Sequence, residues 1–107
     1  VAGRFAVEIL NQVYADKAFV SVDGISLRHG CTVPSSVEAE LIRKMLERTQ
    51  GVRTILVDHS KWGVVSNFEV TRLDQVHRLI TDDGLDRHTR DMLADLPVEV
   101  VIANVQR

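Results

Sequence analysis

The chain has 107 residues, 45% of them apolar and 26% charged, which is the balance of one soluble globular domain and excludes a disordered tail. A net charge of −2 with no basic stripe argues against direct binding of DNA or RNA by this piece. A single cysteine, Cys31, excludes an internal disulfide and a thiolate zinc cluster, and the apolar runs are far shorter than the ~20 residues of a membrane span.

The sequence opens on Val1 rather than methionine and is read as part of a longer protein. It shows no signal peptide, so a reducing, cytoplasmic setting is the expectation. Between Arg4 and Tyr14, the spacing of Phe5, Ile9, Leu10 and Val13 predicts a helix with one apolar face. Ala18 to Val22 is rich in β-formers and predicts a strand that stops at Asp23-Gly24. Ile25 to Pro34, with Gly24 and Gly30 as turn signals, reads as a loop. Ser35 and Glu38 have capping-box spacing, and Val37, Leu41 and Met45, with Ile42 and Leu46, predict an apolar helical stripe down to about Thr49. Thr54 to Val57 reads as a buried strand ending at Asp58, followed by an irregular stretch with an extended piece near Phe68. Thr71 and Asp74 can start one helical turn, and Leu79-Ile80-Thr81 is a strand ending at Asp82. Asp86 can cap a helix to about Leu96 with Met92, Leu93 and Leu96 inward, and Val98 to Ala103 is a last strand. Strands alternating with helices predict an α/β fold with a largely parallel sheet flanked by helices, and the near-continuous apolar strands suit a sheet covered on both faces.

Three strands end in aspartate, at Asp23, Asp58 and Asp82. In an open parallel sheet, ligands bind beyond the carboxyl ends of the strands. Carboxylates there can accept hydrogen bonds from sugar hydroxyls, and Lys61, loop N–H groups or a helix N-terminus can hold a phosphate. The competing reading is that such aspartates only make turns or cap helices. Glu38 is a candidate base or ligand contact, against its ordinary role as the capping-box glutamate. Asp58-His59-Ser60 contains the residue types of a hydrolytic triad, but neighbours in sequence cannot form the relay. His29 with Cys31 is too thin a set for a metal. Trp62 reads as packing, and His77 and His88 as surface residues.

The motifs Asp16 to Ser26, Gly30 with Thr32, Glu38-Ala39-Glu40, Val57-Asp58-His59-Ser60-Lys61-Trp62-Gly63, Leu79 to Asp82 and Val98 to Ala103 together resemble the effector-binding domain of DeoR-family bacterial transcriptional regulators. The resemblance covers essentially the whole chain. It implies a fold similar to ribose-5-phosphate isomerase, glucosamine-6-phosphate deaminase and coenzyme A transferases, truncated at its N-terminus. On this footing residues 1–107 are the C-terminal part of a sugar-phosphate sensor domain. Its partners would be a phosphorylated sugar, a second copy in a homo-oligomer, and operator DNA only through a helix-turn-helix domain outside this chain. No membrane partner, cofactor or metal is implied. Asp23 and Gly24 would line the sugar site, Gly30 and Thr32 would form its loop, Glu38 would face it, and Lys61 would contact the phosphate. The first strand-and-loop portion of the domain, with part of the phosphate cradle, would precede Val1, leaving the site incomplete within these residues. Two departures from the family pattern matter. Ile25-Ser26 replaces the acidic pair that the isomerases use in catalysis, which favours a sensor over an isomerase-like enzyme. Cys31 stands where an apolar residue is usual, a small change for a small hydrophobe.

Overall fold

The chain is described from a computed structural model covering residues 2–104. In chain order the elements are α1 (Ala2–Leu10), β1 (Ala18–Ser21), β2 (Gly24–Ser26), β3 (Gly30–Val33), α2 (Ser36–Glu47), β4 (Arg53–Leu56), β5 (Phe68–Thr71), β6 (Arg78–Asp82), α3 (Arg87–Leu93) and β7 (Glu99–Ala103), with single 3-10 turns at His59–Lys61 and Leu73–Gln75. Four strands form a parallel sheet in the order β1-β4-β6-β7, as the strand–helix alternation predicts.

Residues alternate between the two faces of a strand. The register row Val20, Ile55, Leu79 and Val100 therefore points one way, and Ile55 and Leu79 are fully buried there. Burying a Leu or Ile side chain contributes about 1.5–3 kcal/mol, so this row anchors the core. The neighbouring positions point the other way. Phe19 is 55% exposed, and Leu56 and Val101 are also exposed. Thr54, beside Phe19 on that face, is fully buried, so among the described residues one face is covered and the other is covered in part.

The segment from Ile25 to Pro34 is not a loop. Strands β2, β3 and β5 make a second, antiparallel sheet, with Ile25, Cys31 and Val33 fully buried in the core. Gly30 does not break the chain there. It sits at φ 71°, closes the β2–β3 turn and starts β3.

Ser35 caps α2, its Oγ accepting the Glu38 N–H at 3.3 Å. The buried face of α2 is Ala39, Ile42 and Leu46, and Val37 is exposed, so the face is rotated from the expected stripe toward the alanine that lets β3 and β5 approach. Asp86 caps α3 through the Thr89 N–H at 2.7 Å. That helix ends at Leu93, which is buried, whereas Met92 faces solvent. The first helix ends at Leu10 rather than Tyr14 and packs on α2. Its Phe5 and Ile9 are exposed, because no described element lies over that side. Among the described residues no helix is long and apolar enough to cross a membrane.

Candidate functional site

The sheet register lines up the three strand-end aspartates. Ser21 stands beside Leu56, and Leu56 beside Ile80. Asp23, Asp58 and Asp82 each follow that row by two residues, so they share one level at the carboxyl ends of adjacent strands. Their chemistry then diverges.

Asp58 and Asp82 are engaged by the chain itself. Asp58 caps the 3-10 turn, accepting the Ser60 N–H at 2.8 Å and the Ser60 hydroxyl. The Ser60 hydroxyl bond, then the Ser60 N–H, holds its carboxyl below the ordinary 3.8. Asp82 accepts the His59 N–H at 2.6 Å, and its Oδ2 lies 2.7 Å from His59 Nδ1. The His59 side-chain bond is the main reason that its carboxyl also sits below 3.8. Serine and histidine therefore take different aspartates, and no Ser–His–Asp relay exists. The His59–Asp82 pair was not foreseen. Its signal is Gly84, where any Cβ would collide with the His59 ring.

Asp23 differs. Its N–H is pinned to the Thr32 carbonyl at 3.1 Å, but among the described residues its carboxylate accepts no hydrogen bond. Gly24 follows, buried and paired with Thr32. A Cβ here would collide with the Val64 carbonyl oxygen and come within 2.7 Å of Thr32 Oγ1. Thr32 is 3% exposed, and its hydroxyl accepts the Ser66 N–H at 2.9 Å. Thus Gly24 and Thr32 hold down the segment that follows Lys61.

That segment docks beside β2. Ile25 and Trp62 form an isolated parallel bridge, and the Gly63 N–H donates to the Ile25 carbonyl at 2.8 Å. Lys61 ends the 3-10 turn half-buried, and its ammonium makes no ion pair among the described residues. Asp23, Gly24, Thr32 and Lys61 are so drawn together by β1, β2, β3 and the His59–Lys61 turn. Trp62 packs partly buried against the core, as expected.

Glu38 stands in the first turn of α2, half-buried. The reciprocal capping-box bond is not made: among the described residues its carboxylate accepts no hydrogen bond. Gly30 lies at the far end of β3 from Thr32, paired with Ser26, with the Thr71 carbonyl in the space of a Cβ. Positive φ and close approach account for that glycine by themselves. Ile25, in place of the isomerases' acid, is fully buried and offers no base. Burial pushes the Cys31 thiol up to about 12, so it is no thiolate ligand or nucleophile.

A family model described as the DeoR C terminal sensor domain matches residues 1–83. The chain is 30% identical over 100 residues to the HTH-type transcriptional regulator GolR of Listeria innocua, covering 92% of this chain and 39% of that protein. It is 36% identical to the HTH-type transcriptional regulator YulB of Bacillus subtilis, covering 92% of this chain and 38% of the other. It is 33% identical to the HTH-type transcriptional repressor GlcR of the same organism, covering 94% and 38%. The chain spans about two-fifths of the length of these curated relatives.

Proposed function

The chain belongs to the DeoR C-terminal sensor-domain family, a regulator's sensor rather than an enzyme, and from this premise we propose that its carboxyl-end rim binds a phosphorylated sugar. One observation carries the reading. Of the strand-end aspartates, Asp58 and Asp82 are spent on their own turn, while Asp23 keeps an unengaged carboxylate in a loop that adjoins the loop of Lys61, whose ammonium is attracted by Asp58 but makes no contact ion pair among the described residues. A carboxylate for hydroxyls beside an ammonium for phosphate is the pair a sugar phosphate needs. Glu38 adds a second free carboxylate from the start of α2.

In the full-length protein, effector binding favours one arrangement of the sensor and thereby shifts the population competent for operator DNA. The DNA contact lies in a helix-turn-helix segment beyond these 107 residues, and a homo-oligomer supplies paired contacts for paired half-sites. The net charge of −2 agrees with a sensor that leaves phosphate-backbone contacts to another segment.

A thermal-shift panel of sugar phosphates on the full-length protein tests this. At least one should raise the melting temperature, and its unphosphorylated sugar should not. Lys61→Ala should cut that ligand's affinity by the roughly 1.5–3 kcal/mol of a charge-assisted hydrogen bond. A panel without any stabilising sugar phosphate refutes the reading.

A further inference from the structure

A wide cleft lies away from the rim. It has a volume of about 520 Å³ and lies at the opposite, amino ends of β4 and β6, between them and the second half of α2. Arg53, the first residue of β4, His77, just before β6, and Arg43 of α2 are among the residues that line it.

The Arg53 N–H donates to His77 Nδ1 at 3.0 Å, which leaves the proton of the neutral imidazole on Nε2 as a further donor. Arg53 Nη1 donates to the Gln75 carbonyl at 3.0 Å, yet its buried Nε has no acceptor. Arg43 Nη1 donates to the Glu69 carbonyl at 2.7 Å. Neither guanidinium has a carboxylate within ion-pair distance among the described residues. The acids of the cleft, Glu47 and Asp74, are matched with Lys44 at 3.1 Å and Arg72 at 3.7 Å. Two guanidinium groups with no carboxylate partner of their own, and the His77 ring, thus line one cleft, whose two acids already have Lys44 and Arg72 as partners. Planar forks of this kind suit oxyanions.

We propose that this cleft is a second anion site, distinct from the rim, taking a small dianion: a phosphate group or a dicarboxylate. The two guanidinium groups grip its oxygens, and His77 Nε2 caps it. Its position at the other end of the sheet lets it be filled together with the rim.

The test uses the full-length protein carrying Lys61→Ala, so that the rim does not report. Inorganic phosphate and malonate are titrated by calorimetry, while the His77 ring Cε1–H resonance is followed in histidine-labelled protein. One of the two should bind and move the His77 signal, and the tighter one tells phosphate from dicarboxylate. Adding Arg43→Gln should weaken that binding at least ten-fold. His77→Gln, on an exposed side chain, should also weaken it and serves if Arg43→Gln fails to fold. No binding by either anion, an unmoved His77 signal, or binding indifferent to the variants would overturn the proposal.

Discussion

His59 Nδ1 lies 2.7 Å from Asp82 Oδ2, joining the turn after β4 to the last residue of β6. An ionised carboxylate only accepts, so Nδ1 carries the donated proton. The same carboxylate takes the His59 backbone N–H, which fixes the first residue of the turn that ends at Lys61. Asp82 is therefore a positioning residue for Lys61. Asp82→Asn should weaken sugar-phosphate stabilisation of the full-length protein several-fold while the far circular dichroism spectrum stays unchanged. His59→Gln should be milder, since its backbone N–H still reaches Asp82. Undiminished ligand stabilisation in Asp82→Asn would remove the link.

Acid should loosen the same turn. Asp58 and Asp82 both have folded-state pKa values below the ordinary 3.8. A depressed carboxylate adds stability that is complete above the unfolded value and lost as pH falls through the folded one. The denaturation midpoint should hold at pH values above about 5 and fall below about 4. In the Asp58→Asn, Asp82→Asn double variant that fall should be shallower. Equal pH dependence in both proteins would show that other groups carry the acid sensitivity.

Gly24 is held between the Val64 carbonyl and Thr32 Oγ1. Gly24→Ala must push back a backbone that the Thr32–Ser66 bond holds in place. Overpacking of this kind costs about 1–3 kcal/mol. Thr32→Val removes the acceptor of the Ser66 N–H at a similar cost of about 1–3 kcal/mol. Because both act on the one segment, urea denaturation of the double variant should show less than the sum of the two losses. Additive losses would mean the two residues act separately.

The parallel sheet was legible because each strand is a short apolar run and three of the four are closed by Asp, a local signal. The positions of Asp23 and Gly24 just after β1 were legible for the same reason, while Lys61 lies farther on, at the end of the turn that follows β4. The antiparallel sheet was hidden, since β2 is only Gly24–Ser26 and too short for an alternation to register. The third strand, β5, pairs with β3 from far along the chain. The bonds that shape the rim were hidden too. Thr32 meets Ser66 across 34 residues, and His59 meets Asp82 across 23. Those pairings depend on which strands become neighbours and in what register, and no local pattern carries that. The outward side of α1 escaped the reading for another reason: periodicity tells which residues share a face, not whether anything covers it.

Ser35 and Glu38 separate capping from ligand contact. Only the hydroxyl half of the capping box is made, so Ser35→Ala should destabilise by about 0.5–2 kcal/mol. Glu38 makes no bond that folding would lose, so Glu38→Gln should leave the urea midpoint in place. If Glu38 faces the sugar, that variant should weaken sugar-phosphate stabilisation all the same, because an amide accepts hydroxyl hydrogen bonds less strongly than a carboxylate. The two readouts move in opposite patterns: Ser35→Ala shifts stability with and without ligand alike, and Glu38→Gln shifts only the ligand-bound protein. A loss of ligand-free stability in Glu38→Gln would return Glu38 to the cap, and the rim would then bind its sugar through Asp23 and Lys61 without help from α2.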